Sequence, residues 1–424
     1  MSQGDVLIVG NGSREHALAC KLRQSEHVKR IYVASGNSGI LGIGDTMPIN
    51  PQDIASLCRF SLEKGIDLTV VGTETPLKLG IVDLFHRHNL TIFGPTSAAA
   101  QIESSKLYAK RIMLEEGIPT AYFKTFVSHE TAHAHIHERN YPLVIKADGL
   151  ASGKGSYVCK DINDAKVALR ELMLDRIHGE AANLVIIEDF LEGEELSTHY
   201  LCYGLSATPL LTARDAKTLK EGGIGPNTGG MGTFSPVPCF TDHNLFNVEQ
   251  TIVKPLLMNL VKRGTPYTGC LYPGLMLTKN GPYVVEFNAR FGDPETQPLM
   301  VLLESDLFLL LKSWACGEGI KPIFKQNMHA VCVVLCSKEY PSSINNPVPI
   351  YGIADAESLS DDINVFHGAT KRIGTRLHTN GGRILSVTAK AKSIKEARLL
   401  AYHACEYIQF EGKQYRNDIA QYAI

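Results

Sequence analysis

The segment "PLVIKADGLASGKGSYVCK" (142–160) decides the fold. PLVIKAD (142–148) reads as an apolar strand and SYVCK (156–160) as a second, with the turn GLASGKG (149–155) between them. Four small residues, Gly149, Ser152, Gly153 and Gly155, flank Lys154. Backbone amides stripped of bulky side chains can approach an anion, so the turn is a candidate phosphate cradle. It is not the P-loop, which must lead into a helix, because this turn leads into a strand. An ordinary glycine hairpin remains the competing reading. Lys146 tilts the balance, since an ammonium within an apolar strand is costly without an anionic partner, whether ligand or salt bridge. Downstream, Ala165, Ala168, Leu169, Leu172 and Met173 form one apolar stripe on a helix predicted from about 164 to 176, followed by the strand NLVIIEDFL (183–191).

Outward from this module, the first hundred residues alternate strands and helices: DVLIVG (5–10), a helix 15–24, RIYVAS (30–35), a helix 51–64, LTVVG (68–72), a helix 79–87 and LTIFG (90–94). That alternation predicts an open parallel α/β sheet with ligands at the strand carboxyl ends, where Asn11, Asn37 and Glu74 fall. SSKLYAKRIMLEEGIPTA, from Ser104, reads as a helix closed by Gly117 and Pro119. Residues 192–325 mix strands with one long helix near 298–316. The last hundred residues hold the strands HAVCVVLCSK and RILSVTAK, then a helix that Ser393 and Glu396 open, burying Ala397, Leu400, Ala401, Ala404 and Ile408.

At 424 residues the chain exceeds the size, about 250 to 300 residues, at which single cores stop growing, so several structural units are expected. With 44% hydrophobic and 20% charged residues it has the profile of a soluble globular protein. A formal net charge of -2 offers no global field for nucleic acid or anionic lipid, so any anion site is local. The N-terminus shows neither a charged leader nor a long apolar run. Ten scattered cysteines with no CxxC suit reduced thiols, and the expectation is a cytoplasmic protein.

Three further stretches carry chemistry. In YVVEFNARFGDPETQ (283–297), strand alternation puts Glu286 and Asn288 on one face and Val285 and Phe287 on the other. Two adjacent oxygen donors suit Mg²⁺ bound together with nucleotide phosphate and water, and Arg290 supplies a planar fork for carboxylate or phosphate. IIEDFLEGEELS (186–197) places Glu188, Asp189, Glu192, Glu194 and Glu195 at a strand end, where carboxylates can take ribose hydroxyls. GPNTGGMG (225–232) reads as a flexible, donor-rich loop that suits a lid or a substrate clamp. Against these stand plain readings: a solvated edge strand, an acidic surface loop and a surface loop. VGNGSREH (9–16) fails as a dinucleotide fingerprint because Glu15 stands at the third glycine and no acidic residue ends the second strand.

The ordered set GNGSREHAL, FGPTSAAAQIESSK, IKADGLASGKG, GPNTGGMG, EFNARFGDPETQ and GKQYRNDI resembles the phosphoribosylamine–glycine ligase family of the ATP-grasp superfamily, from residue 5 to about 419. The resemblance implies ATP-dependent joining of glycine to 5-phosphoribosylamine in purine synthesis, with Mg²⁺ or Mn²⁺. It implies an N-terminal α/β unit (1–103), an ATP-grasp fold with a large part (104–121 and 191–325) and a small lid (122–190), and a C-terminal α+β unit (326–424). By the same resemblance, Lys106, Lys146 and the 149–155 loop would contact ATP phosphates, and Glu188, Asp189, Phe190 and Leu191 would hold adenine. Glu195 would hold ribose, and Glu286 and Asn288 the metal. Arg290 and Lys217 would be catalytic, Arg290 holding the glycine carboxylate. The other substrate would use Gly10, Asn11, Gly12, Arg14, Glu15, His16, Asn37, Asp215, Pro226, Asn227, Thr228, Gly229 and Asp293. A monomer is expected, acting on small molecules and not on nucleic acid or membranes. The chain departs from the family pattern at Ser13, Thr73, Ala216 and Gly223, all on the substrate side. Two alternatives stay open on that account: an ATP-grasp ligase with another acceptor, and a non-catalytic nucleotide binder.

Overall fold

The computed structural model describes residues 3–151, 153–238, 240–342 and 346–423. Four principal sheets organise them. The first is the parallel α/β sheet, five strands in the spatial order Asp45–Met47, Val28–Ser35, Gly4–Gly10, Leu68–Val71, Ile92–Phe93. The chain leaves its first strand toward one edge and returns to build the other, so the crevice beyond Gly10 and Val71 is the point where strand order reverses. The edge strand Asp45–Met47 escaped the sequence reading, being three residues long and two-thirds exposed. The helix expected at 79–87 is two, Glu74–Lys78 and Ile81–Arg87, because Gly80 between them takes φ +84°.

The module at 142–160 forms the centre of a second sheet, Phe123–Phe126, Val185–Asp189, Leu143–Ala147, Ser156–Cys159, wholly antiparallel. The helices His129–His137 and Ile162–Leu169 close one face over a private core of Leu143, Ile145, Ala165, Leu169 and Leu172. The second helix ends at Leu169 as regular α and widens into a π turn over Arg170–Leu174, keeping the apolar stripe.

The third sheet is antiparallel, Glu194–Ser197, Thr268–Thr278, Tyr200–Tyr203, Ser206–Pro209, with Gly281–Asn288 paired on the other side of Thr268–Thr278. Its register slips between Gly274 and Leu275, so Val285 is bulged out. This corrects the expected alternation: Val284 and Phe287 enter the core while Val285 turns to the cavity. Glu286 and Asn288 lie beyond the bulge and keep their shared face. The fourth sheet, Arg214–Asp215, Gly232–Ser235, His329–Cys336, Arg383–Ala391, Ile363–His367, draws two strands from the middle of the chain into the C-terminal unit. Ser393 caps the helix Ile394–Tyr407 as expected. The long helix near 298–316 is instead two, Thr296–Leu302 and Leu307–Ala315. Leu303 turns extended, and Asp306 caps a fresh start by accepting from the Leu309 N–H at 3.1 Å. Among the described residues nine cysteines are free thiols; Cys239 lies outside them. No described helix is long and apolar enough to cross a membrane.

Candidate active site

The second sheet, the third sheet and the carboxyl edge of the parallel sheet surround one cavity of about 730 Å³. Its floor is the strand end Val285–Asn288 and the turn 290–295, and its roof is the glycine loop with the strand end Glu188–Leu191. Asp148, at the end of the strand carrying Lys146, accepts from Ser105 Oγ at 3.1 Å and from the Leu107 N–H at 2.7 Å. Ser105 in turn accepts from the Tyr108 N–H at 3.1 Å. This cap aims the first turn of Lys106–Glu115 at the loop, and Lys106 Nζ donates to the Gly149 carbonyl at 3.3 Å.

Three ionic groupings line the space. Lys146 Nζ lies 2.9 Å from Glu188 Oε2 and Lys110 Nζ 3.1 Å from Glu188 Oε1, all three side chains being at most 4% exposed. Burial lowers the Lys110 pKa to about 8, with Glu188 opposing. The Glu188 carboxylate, which burial alone would raise, is held below its usual range by Lys146 and Lys110. It therefore answers the burial cost of the strand lysine. An adenine role for its side chain would have to share those two partners; Asp189, Phe190 and Leu191 line the cavity beside it.

The second grouping is Lys217, 3.1 Å from Glu195 Oε2 and 3.8 Å from Glu286 Oε1. Burial works against the Glu286 anion, but Lys217, Lys106, Lys146 and Arg290 together bring its pKa down to about 2. Burial and the nearby Glu295 push Asp215 up, with Lys217 opposing.

The third centres on Arg290. Its Nη2 meets Glu103 Oε1 at 2.9 Å and Asn288 Oδ1 at 3.0 Å, Nη1 donates to the Phe291 carbonyl at 3.2 Å, and Nε lies 3.6 Å from Glu74 Oε2. Burial drives Glu103 up to about 7 despite Arg290. Beneath it, His199 Nε2 accepts from the Gly292 N–H at 3.3 Å and braces the turn, while burial brings its pKa down to about 4 and keeps it neutral. Arg383 closes the far wall, donating to Asp293 Oδ2 at 2.9 Å and to the Gly229 carbonyl at 2.5 Å.

The cavity thus gathers Gly10, Asn11, Gly12, Arg14, Glu15, Lys106, Lys146, Gly153, Gly155, Glu195, Asp215, Asn227, Thr228, Gly229, Glu286, Asn288, Arg290 and Asp293. Others lie elsewhere. Asn37 lines an adjoining cavity of about 250 Å³ with Ser13, Thr370, Asn380 and Arg383. His16 is turned away: its Nδ1 accepts from the His367 N–H at 2.8 Å and its ring packs edge-on against Phe366. Lys154 Nζ donates to the Pro341 carbonyl at 2.7 Å, outside the cavity. Gly149 serves packing, since a Cβ there would stand 2.8 Å from the Ala181 backbone. Pro226 is exposed on the hairpin strand Ile224–Asn227, and Ser152 lies outside the described residues.

Models of the phosphoribosylglycinamide synthetase N domain, ATP-grasp (A) domain and C domain match residues 4–103, 104–296 and 330–422. The chain belongs to the phosphoribosylglycinamide synthetase family. A relative from Halalkalibacterium halodurans, named phosphoribosylamine–glycine ligase, is 43% identical over 421 residues, covering 99% of this chain and 97% of that one. The crystal structure of phosphoribosylamine–glycine ligase from Thermotoga maritima has a TM-score of 0.84 at 32% identity, over 98% of this chain and 100% of that one. The biotin carboxylase domain of the Hydrogenobacter thermophilus 2-oxoglutarate carboxylase, solved with MgADP and bicarbonate, has a TM-score of 0.73 at 16% identity. It covers 98% of this chain and 92% of that one, a likeness of fold alone.

Within this synthetase frame the four departures separate. Ala216 packs against the main hydrophobic core, and Gly223, at φ +74°, has open space where a side chain would stand. Neither lines a cavity described above. Thr73 does, donating to Glu74 Oε2 at 3.2 Å, and Ser13 faces the smaller cavity. Sequence reasoning missed Lys110, Glu103, Glu295 and Arg383 as site groups. Lys110 had a signal: it lies one helical turn from Lys106, beside the buried Ala109 and Met113.

Proposed function

We propose that this chain joins glycine to 5-phosphoribosylamine at the expense of ATP, a step of de novo purine synthesis. The observation that carries the reading is the convergence of Lys106, Lys146, Glu286, Asn288 and Arg290 on one cavity roofed by the glycine loop, in a chain of this family from end to end. ATP lies with its base at Asp189–Leu191, its ribose at Glu195 and its phosphates between the glycine loop, Lys106 and Lys146. Arg290 receives the glycine carboxylate by exchanging its contact with Asn288. The carboxylate oxygen attacks the γ-phosphorus and ADP leaves with the bridging oxygen. The amine nitrogen of the sugar then attacks the carbonyl carbon of glycyl phosphate, expelling phosphate and giving the amide. No side-chain nucleophile takes part. The lysines and Arg290 stabilise charge on the transferring oxygens, Lys217 the charge on the departing phosphate, and the lid keeps water from the acyl phosphate. The phosphoribosyl group lies along Gly10–Gly12, Arg14, Asn37, Asp215, Asn227–Gly229 and Asp293.

The donor set suits a hard divalent ion. Glu286 is held anionic, Asn288 offers an amide oxygen beside it, and no group of three or more His, Cys, Asp or Glu among the described residues would hold an ion without help from phosphate and water. Bound there, Mg²⁺ or Mn²⁺ would neutralise β- and γ-phosphate charge. The chain works as a cytoplasmic monomer. ADP release, measured with each combination of ATP, glycine and phosphoribosylamine, tests the reading: turnover that needs all three supports it, and turnover with a different amine in place of phosphoribosylamine refutes it. Ser13 and Thr73 are the positions that would favour a different acceptor.

A further inference from the structure

The closing stretch GKQYRNDI (412–419) contributes nothing to the cavity, yet Arg416 and Asp418 in it are buried and, with the exposed Asn417 between them, engaged in hydrogen bonds. Arg416 and Asp418, both 7% exposed, meet in two-pronged fashion, Nε to Oδ1 at 2.7 Å and Nη2 to Oδ2 at 2.6 Å. Each also reaches past the other. Arg416 Nη1 donates to the Thr218 carbonyl at 3.1 Å and to its hydroxyl at 2.8 Å, and Asp418 Oδ2 accepts from the Gly222 N–H at 2.9 Å. Between them, Asn417 donates through its backbone and side-chain N–H groups to Glu221 Oε1 at 3.1 and 2.7 Å.

Three consecutive tail residues therefore hold three points of one hairpin, Thr218–Lys220 paired with Ile224–Asn227. That hairpin starts beside Lys217 and ends in Asn227–Gly229, all cavity-lining. Its second strand runs beside the lid strand Ser156–Cys159, and a Cβ on Gly153 of the glycine loop would stand 3.5 Å from the Thr228 carbonyl. On its own the hairpin is weak. Residues 220–225 are exposed, its ladder is irregular, and Gly222, Gly223 and Gly225 take φ of +67°, +74° and +92°.

We infer that Arg416, Asn417 and Asp418 are positioning residues for the ligation, fixing the hairpin so that Lys217 lines the cavity and Thr228–Gly229 stand beside Gly153. The inference takes its reaction from the proposed function; the clamp itself does not depend on the acceptor. The polarity of the clamp gives a discriminating variant. Thr218 presents a carbonyl and needs a donor, whereas Gly222 presents an N–H and needs an acceptor, so the ion pair cannot be reversed without setting a carboxylate against a carbonyl.

The test uses the full chain with Arg416→Ala, the milder Asp418→Asn, and the exchange Arg416→Asp/Asp418→Arg. In Arg416→Ala and the exchange, kcat/KM for ATP should fall about 10- to 100-fold, the scale expected of a misplaced site. Trypsin should cut faster after Lys220 while global melting shifts little. Asp418→Asn keeps an acceptor for Gly222 and should recover part of the activity, which also guards against a misfolded alanine variant. Recovery of wild-type kinetics by the exchange, or lowered melting with unchanged KM and no new cleavage, would overturn the inference in favour of simple stabilisation. If the wild type fails to turn over the stated substrates, the functional reading falls, while the proteolysis and ATP affinity of the variants still decide the clamp.

Discussion

Glu188→Gln is the perturbation whose outcome the structure specifies most fully. The carboxylate lies between two buried lysines, and glutamine preserves its shape while removing the charge. Breaking a buried pair by deleting one partner costs about 3–5 kcal/mol, because the remaining charge is left uncompensated. Here two ammonium groups are left, both in or against the second sheet. If the second sheet opens as a unit, amide exchange in Leu143–Ala147 and Val185–Asp189 should quicken about 10²- to 10⁴-fold at neutral pH. Lys110→Met should cost far less, within about 1.5 kcal/mol, since Glu188 keeps Lys146 and one of two competing cations is gone. Titration separates the two further. Burial lowers the Lys110 pKa from 10.5 to about 8, so between these values the unfolded chain holds more proton than the folded one and stability from this group rises with pH. The gain approaches about 3 kcal/mol near pH 10.5; it should be missing from the Lys110→Met stability curve and so appear as a pH-dependent difference between wild type and that variant. Equal exchange in wild type and Glu188→Gln, or a Lys110→Met variant as damaged as Glu188→Gln, would refute the reasoning.

Three further outcomes follow from the site. Glu286→Ala should lower kcat about 10²- to 10³-fold or more with an unchanged circular dichroism spectrum and melt; near-normal turnover removes Glu286 from the metal assignment. Glu103, raised from 4.5 to about 7 by burial against the pull of Arg290, binds its proton more tightly folded than unfolded. Its contribution to stability therefore falls as pH rises from 4.5 to 7, and Glu103→Gln should flatten that slope together with any step near pH 7 in kcat/KM for glycine. Gly149→Ala brings a methyl to 2.8 Å from the Ala181 backbone, which must shift the loop. A KM for ATP raised about tenfold or more, with glycine KM little changed, is expected from steady-state kinetics.

Local backbone chemistry made the first part of this molecule legible. A glycine turn between two apolar runs, strands alternating with helices, and a serine ahead of a helix each depend on neighbours a few residues away, and those elements stand where the sequence put them. What escaped depends on partners far along the chain or on weak periodicity. The helix His129–His137 carries four histidines where an apolar stripe would have announced it, and only Ala132 and Ile136 are buried. The break after Leu302 lies inside an apolar run whose spacing suits one helix; only the Asp306 cap interrupts it. The bulge at Val285 is a register slip against Gly274, invisible to a strict count of two.

The site divides along the same line. Glu286, Asn288 and Arg290 were readable because polar residues at a core-strand end are anomalous in any setting. Glu103, Lys110 and Arg383 sit in helices or strands where a single charged residue is ordinary, and their meaning comes from Ala289, Glu188 and Asp293 across 90 or more positions in two cases and 78 in the third. For Lys110 the gap was narrower. One residue each of Ala109, Ile112 and Met113 marks the buried side of its helix, and Lys110 falls among them at 2% exposure. A lysine on a buried helical face demands an anion, the nearest acidic run in an apolar strand is IIEDF, and the argument that flagged Lys146 therefore reaches Lys110 by the same desolvation cost.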